Sequence, residues 1–194
     1  MTAIRAFTDF GDLAVLLPLA SLMLVWLFWK QSGIVALFWL GAVFFCTGLT
    51  ALLKVYFFVC PPAADLHSPS GHTGFSTLVY GSLSVIAAMQ WRGWQRSIML
   101  VAGAIFVILI GLSRIALDAH TIAEVIFGFA IGGVSLAFFA VYYLRFRDPN
   151  ITLGWLMLAA LVLIGVFHGQ QLRAEELLHA IGLDLHRDGM ACVF

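Results

Sequence analysis

The heptapeptide Ser68-Pro69-Ser70-Gly71-His72-Thr73-Gly74 lies between two strongly apolar segments and gathers several groups that a reacting site needs. It combines a proline turn, a hydroxyl, an imidazole and a glycine at which a ligand can approach the backbone. Ser70 is a suitable N-cap for a helix that begins after it, so the open backbone N–H groups near Gly71 and His72 would point at a bound anion. We therefore expect this stretch to form one wall of a phosphate-handling site at the start of a helix.

The rest of the chain has the composition of an integral membrane protein. Of its 194 residues, 62% are hydrophobic and only 10% are charged, and the mean hydropathy is +1.03. A soluble domain contains about 25% charged residues. The net charge is zero and there is no basic block, which argues against a nucleic-acid partner. The three cysteines (Cys46, Cys60 and Cys192) lack metal-type spacing, so we interpret them as buried or idle thiols and expect no metal or other cofactor.

Six apolar segments approach the ~20 residues that cross a bilayer core of ~30 Å. They cover 13–29, 34–53, 74–91, 97–112, 122–144 and 151–167. The first is not interpreted as a signal peptide, because two acidic residues precede it and no small-residue cleavage site follows it. Gly128 and Gly132 share one face of the fifth segment and suggest close helix packing, although small residues are common in such helices.

These segments predict an all-α, polytopic membrane helix bundle with about six transmembrane helices. We place a single transmembrane domain over 1–167 and a polar, amphipathic C-terminal tail over 168–194. The tail has apolar residues at helical spacing, so it is expected to lie on the membrane surface. A sharper interpretation makes the tail a lid over the site.

Six crossings would place the N-terminus, the second loop, the fourth loop and the tail on one side of the membrane. Lys54, the turn 70–72 and the segment 114–124 then share that side. Once Lys54 and Arg114 are set aside as functional, the site side keeps three basic residues: Arg5, Arg173 and Arg187. The other side holds five, namely Lys30, Arg92, Arg96, Arg145 and Arg147. Because basic residues favour the cytoplasmic side, we expect the site to face outward, toward the periplasm of a bacterial inner (plasma) membrane.

The charged residues on the site side suit an anion. Charged groups at membrane depth are costly and usually functional, and the part of this side between positions 54 and 124 holds two cations and three histidines: Lys54, Arg114, His67, His72 and His120. His120 and Glu124 are four residues apart and share a helix face, so the carboxylate can fix the imidazole tautomer that a nucleophile or base requires. Taken singly, Lys54 reads as a snorkelling side chain and the His120–Glu124 pair as a surface helix pair. Together they favour a phosphate site.

The same residues resemble the type 2 phosphatidic acid phosphatase superfamily. Its pattern is Lys, six residues, Arg-Pro; then Pro-Ser-Gly-His; then Ser-Arg, five residues, His, three residues, Asp. Here the pattern is matched by Lys54, by Pro69-Ser70-Gly71-His72, and by Ser113-Arg114 followed at the family spacing by His120. The resemblance covers positions 54–124 in order and spacing.

The resemblance implies a role for each matching position. His120 would attack phosphorus and form a phosphohistidine, with Glu124 where the family has Asp, and His72 would protonate the leaving group. The phosphoryl oxygens would be held by Lys54, Ser70, Gly71 and Arg114. Ser113 and His67 are assigned as auxiliary residues, and the family uses no metal.

Two positions depart from the family pattern. Position 61 is Pro61 where the family has Arg, although Pro62 retains the proline that follows it, and position 124 is Glu rather than Asp. We hypothesise that His67 or a tail arginine (Arg173 or Arg187) replaces the missing cation. The longer arm of Glu124 can still orient His120 but shifts the geometry.

These observations predict a membrane lipid phosphatase that acts on a lipid phosphomonoester or diphosphate, with lipid phosphate and membrane lipids as partners. Transfer of the phosphoryl group to another acceptor stays open, as do the identity of the lipid and the oligomeric state. One alternative is a non-catalytic protein that binds or transports lipid phosphate on the same scaffold. The other is an intramembrane serine protease with Ser70 as nucleophile and His120 as base, which would leave Lys54, Arg114 and Glu124 without a role.

Overall fold

The computed structural model describes residues 2–60, 68–148 and 152–172, together with 178, 180 and 181. Over this part of the chain it is helical and contains no strand. The helices are α1 (Thr2–Thr8), a 3-10 turn (Asp9–Gly11), α2 (Leu13–Lys30), α3 (Gly33–Val59), α4 (Gly71–Ala88), α5 (Trp94–Ala116), α6 (Ile122–Phe146) and α7 (Gly154–Phe167). The predicted all-α helix bundle is confirmed.

The protein is an integral membrane protein by the length and apolar character of its helices. Four spans are long and apolar enough to cross a bilayer, namely Ala3–Lys30, Gly33–Val59, Trp94–Ala116 and Ile122–Phe146. Helix α7 is apolar but shorter. The remaining predicted crossing, α4, is not among the four because it carries many hydroxyl side chains.

Helix α4 occupies the centre of the bundle, which explains how a polar helix is accommodated. It packs most extensively against α6 and α5. Its buried serine and threonine residues are Thr73, Ser76, Thr77 and Ser82, and the Thr77 hydroxyl donates to the carbonyl of Thr73 at 2.7 Å. The more apolar helices around it therefore separate these groups from lipid.

The predicted ends of two helices were wrong by about a turn. Lys54 was expected just beyond a helix end, but α3 continues to Val59, and Lys54 is buried with 5% exposure. Likewise α5 continues to Ala116 and includes Arg114. Lysine and arginine are good helix formers, so a single charge ends an apolar run without ending the helix.

The close packing suggested by Gly128 and Gly132 is confirmed, and it positions the start of α4. A Cβ atom added to Gly128 would lie 2.6 Å from the carbonyl oxygen of Ser70, and one added to Gly74 would lie 3.2 Å from the carbonyl oxygen of Gly128. Only glycine lets the two backbones approach this closely. The first turn of α4 therefore lies directly against the first turns of α6.

The two ends of the bundle are distinct. At one end the Ser68 amide donates to the Glu124 side chain at 3.0 Å, which joins the segment before α4 to α6. At the other end the Asp148 amide donates to the Gln31 side chain at 2.7 Å.

Most of the segment 168–194 lies outside the described residues, so its amphipathic character, its lid role and the domain boundary at 167 stay predictions.

Candidate active site

The carboxylate of Glu124 connects the parts of the site. Its Oε2 lies 2.8 Å from His120 Nδ1 and accepts from the Thr121 amide at 3.1 Å, while its Oε1 accepts from the Ser68 amide at 3.0 Å. The main-chain carbonyl of Glu124 also accepts from the Ser70 amide at 3.0 Å. One residue on α6 thus fixes both the imidazole of His120 and the segment that leads into α4.

Local sequence explains why His120 stands at the start of α6. Thr121 and Glu124 form a capping box, in which the Thr121 hydroxyl accepts from the Glu124 amide at 3.3 Å. Before it, the Ala119 amide donates to the Arg114 carbonyl at 3.0 Å, and Asp118 adopts a left-handed backbone with φ 52°. Aspartate tolerates this conformation better than most residues, so the chain turns sharply from α5 into α6.

The surroundings of His120 keep its imidazole neutral. The side chain is only 6% exposed, and this burial lowers the pKa of His120 below the usual histidine range. The hydrogen bond to Glu124 acts in the opposite direction and raises the pKa. The positive charges of Lys54 and Arg114 lower it further. With Nδ1–H donated to the carboxylate, Nε2 carries the lone pair. This is the state in which an imidazole acts as a nucleophile.

Two cations act on this imidazole from different helices. Lys54 lies beside the start of α4, since a Cβ added to Gly71 would lie 3.9 Å from Lys54 Cε. Arg114, near the end of α5, reaches Thr8 Oγ1 with Nη1 at 3.5 Å. The structure therefore brings Lys54, Gly71 and Arg114 to the same end of the bundle as His120.

Ser70 caps α4 as predicted. It is fully buried, and its Oγ accepts from the Thr73 amide at 3.4 Å and lies 3.0 Å from the Thr73 hydroxyl. Ser113 is also buried, and its hydroxyl donates to the Ile110 carbonyl inside α5 at 2.7 Å. Both hydroxyls make short-range contacts within or at the end of a helix.

His72 is 24% exposed, and its Nε2 lies 3.5 Å from Asp12 Oδ2. In the sequence, Asp12 is recognisable only as one of the two acidic residues that precede the first apolar segment. Its position immediately before an apolar helix is a typical N-cap signal and could have marked the residue, although not its contact with His72.

His67, Pro61, Arg173 and Arg187 lie outside the described residues, so compensation for the missing arginine stays a hypothesis.

Two cavities open beside these groups. One, of about 570 Å³, is lined by polar and apolar residues that include Phe58, Ser68, Asp118, His120 and Glu124. The other, of about 350 Å³, is almost wholly apolar, and its lining residues are Ala3, Ile4, Phe7, Leu109, Leu112, Ser113 and Ala116. Two of its lining residues, Ser113 and Phe7, are the chain neighbours of Arg114 and Thr8, whose side chains lie 3.5 Å apart.

Cys60 corrects one interpretation made from the sequence. It follows the last residue of α3, at the site end of the bundle, and it is disulfide-bonded rather than an idle thiol. Cys46, in contrast, is free and buried, as expected.

Comparison with known proteins supports the resemblance seen in the motifs. Residues 56–149 match the family model of the PAP2 superfamily. This region is similar to the PAP2 superfamily. Members of the superfamily are generally phosphatases, so the match supports phosphatase-type activity as a broad class. The matched region contains the heptapeptide and the segment 114–124, while Lys54 and Asp12 lie before it.

A relative from Klebsiella pneumoniae, described as an uncharacterized 22.5 kDa protein in the cps region, is 29% identical over 161 residues. The aligned part covers 80% of this chain and 77% of the relative. No solved structure gives a significant match. The PAP2 relationship therefore rests on sequence, and the roles of individual residues are argued from the geometry above.

Proposed function

We propose that the protein hydrolyses a phosphomonoester or diphosphate carried by a membrane lipid, through a phosphohistidine at His120. The observation that carries the proposal is the buried pair of His120 and Glu124, 2.8 Å apart, beside a cavity and under the influence of Lys54 and Arg114. A neutral, oriented imidazole next to two cations matches the needs of a nucleophile that attacks a phosphate.

In the first step, His120 Nε2 attacks phosphorus, and the bond between phosphorus and the leaving oxygen breaks. His72 gives its proton to that oxygen, while Lys54, Arg114 and the amide of Gly71 stabilise the charge on the phosphoryl oxygens. In the second step, water attacks the phosphohistidine and His72 takes a proton from it. Inorganic phosphate leaves, and His120 returns to its neutral form.

The apolar cavity beside Arg114 supports a lipid-borne substrate. Its lining residues lie on α1 and α5, both of which are within apolar spans. An acyl or isoprenyl chain placed there would be in contact with hydrocarbon while its phosphate approached the cations. A water-soluble phosphate ester would gain nothing from this surface.

We also propose that the site faces the periplasm. The basic residues Lys30, Arg92, Arg96, Arg145 and Arg147 lie in or beside the helix ends away from the site, which suits the cytoplasmic side. Disulfides persist in oxidising compartments, and the bond at Cys60 lies at the site end. The distribution of basic residues and the disulfide are independent observations, and both support a site on the periplasmic side.

The test is phosphate release by the detergent-purified protein from lipid monophosphates and diphosphates in the presence of EDTA. We expect release without added metal, and a loss of at least about 10³-fold for His120→Ala. His168→Ala is the matched control, because His168 bonds to the Ala6 carbonyl at 2.8 Å and has no role in the proposed chemistry. Acid-labile, alkali-stable labelling of wild-type protein by ³²P-labelled substrate, absent in His120→Ala, would identify the intermediate.

Two results would overturn the proposal. Wild-type protein that binds lipid phosphate without releasing phosphate would be a binding or transport protein. Release that persists in His120→Ala would exclude the phosphohistidine. Adding an alcohol acceptor to the same assay separates hydrolysis from phosphoryl transfer.

A further inference from the structure

We propose that Asp12 is a positioning residue for His72. It holds the imidazole through Nε2 and stabilises its protonated form, so that the proton passed to the leaving oxygen comes from Nδ1. This inference rests on the proposed function. Asp12 lies outside the PAP2 region 56–149, so the family match assigns it no role.

The two oxygens of Asp12 have different partners. Oδ1 accepts from the Ala14 amide at 2.8 Å and from the Leu172 amide at 3.1 Å. Oδ2 lies 3.5 Å from Nε2 of His72. The backbone amides of two separate segments thus fix the plane of the carboxylate and direct its second oxygen toward the imidazole. The Asp12 side chain is only 7% exposed, so water screens this contact weakly.

The residues before Asp12 hold the imidazole from the side. A Cβ added to Gly11 would lie 3.4 Å from His72 Cδ2 and 3.1 Å from Ser76 Oγ. The 3-10 turn therefore lies close against the ring and the next turn of α4. The Tyr80 hydroxyl donates to the Phe10 carbonyl at 2.8 Å, which ties the same turn to α4. The ring of His72 is packed between two elements that are joined to each other.

A carboxylate beside His72 favours the protonated imidazole, which the cations Lys54 and Arg114 oppose. A general acid must hold its proton at the working pH, and nearby cations make this harder. Among the described residues, the charged or titratable groups at this end of the bundle are Arg5, Asp9 and Asp12 on the N-terminal segment, Lys54 and Tyr56 on α3, Arg114 on α5, Asp118, His120 and Glu124 around the start of α6, and His168 after α7. Glu124 is bonded to His120, and Asp9 bonds to Gln171 at 3.5 Å. Of these described groups, Asp12 is the one recorded in an ion pair with His72, at 3.5 Å.

Asp12→Asn removes this charge with little change to the fold. Asparagine is as good an N-cap as aspartate, and its amide oxygen can still accept from the Ala14 and Leu172 amides. Asp9→Asn is the matched control, because it removes a neighbouring carboxylate that bonds to Gln171 rather than to His72. If the Asn variant does not accumulate, Asp12→Ser retains a capping oxygen and also removes the charge.

The readout is the dependence of kcat/KM on pH and on the leaving group. For a lipid phosphate with an alkyl leaving group, we expect the alkaline limb to move to lower pH and activity on that limb to fall about tenfold, since general acids contribute on the order of 10²-fold or more. For an aryl phosphate such as p-nitrophenyl phosphate, whose leaving oxygen needs no proton, the loss should be less than about threefold. Asp9→Asn should match wild type with both substrates.

Equal losses with both leaving groups at every pH would overturn the inference and leave Asp12 a purely structural cap. Wild-type behaviour of Asp12→Asn would overturn it as well. Either result with activity that still depends on His120 leaves the proposed function intact. Activity that persists in His120→Ala would refute the proposed function itself.

Discussion

Replacing Glu124 with glutamine tests the centre of the site, because the carboxylate accepts hydrogen bonds on both oxygens. Oε1 accepts from Ser68, and Oε2 from Thr121 and His120. Glutamine offers only one acceptor oxygen. If that oxygen replaces Oε2, the new NH₂ group faces the Ser68 amide, so two donors meet. If it replaces Oε1, the NH₂ group faces His120 Nδ1 and favours the tautomer that carries its proton on Nε2.

The cost follows from these two arrangements. An unpaired buried donor costs about 1–3 kcal/mol, so the first arrangement lowers the stability of the variant by roughly that amount. The second leaves no lone pair on Nε2 for attack, and the corresponding tautomer error in a serine protease triad lowers kcat about 10⁴-fold. A mixture of the two should reduce kcat/KM of Glu124→Gln by roughly 10²- to 10⁴-fold.

The assay is steady-state phosphate release from the best lipid substrate, with thermal unfolding in detergent as a check of the fold. Asp118→Asn is the matched control, because Asp118 lines the same cavity and its φ of 52° is one that asparagine also accepts. We expect that control to stay within about threefold of wild type. A Glu124→Gln protein with wild-type kcat/KM and an intact fold would refute the argument that Glu124 selects the tautomer of His120.

Two further changes test the packing and the electrostatics. Gly132→Ala should cost about 1–3 kcal/mol of stability, since a Cβ there would overlap the Gly74 carbonyl. The control is Gly133→Ala, because a Cβ there meets nothing within 4 Å. Equal unfolding temperatures of the two variants in detergent would contradict the packing argument. Lys54→Met removes a charge that, together with burial, lowers the pKa of His120 from 6.5. Because protonated His120 cannot attack phosphorus, the acid limb of kcat/KM against pH should lie below 6.5 in the wild-type protein. In the variant the pKa of His120 rises, so this limb should move to higher pH. An unmoved limb would mean that the lysine charge does not act on His120.

The sequence predicted the helical bundle and the side of the membrane shared by the three motifs, because apolar runs and their number determine both. It did not predict that Lys54 lies inside α3. A hydropathy profile treats a lysine as the end of an apolar run. It contains no information about packing, and here the Lys54 side chain lies beside Gly71, which has no Cβ.

The contact between Asp12 and His72 was also missed, for a different reason. Motif spacing and helical periodicity relate residues that are close in the chain, whereas this contact depends on where the N-terminal turn lies against α4. The cap signal identifies Asp12 as a residue at a helix start. Only the packing of Gly11 against the ring of His72 shows which residue the second carboxylate oxygen faces.

Glutamate at position 124, where the superfamily pattern has aspartate, has a physical explanation in the structure. A capping box requires Glu or Gln three residues after the Ser or Thr cap, and Thr121 supplies that cap here. The carboxylate also spans from His120 on one side to the Ser68 amide on the other. Aspartate is one methylene shorter, so Glu124→Asp would keep the charge but give up part of this span. The longer side chain is therefore matched to the cap that starts α6 and to the segment that leads into α4.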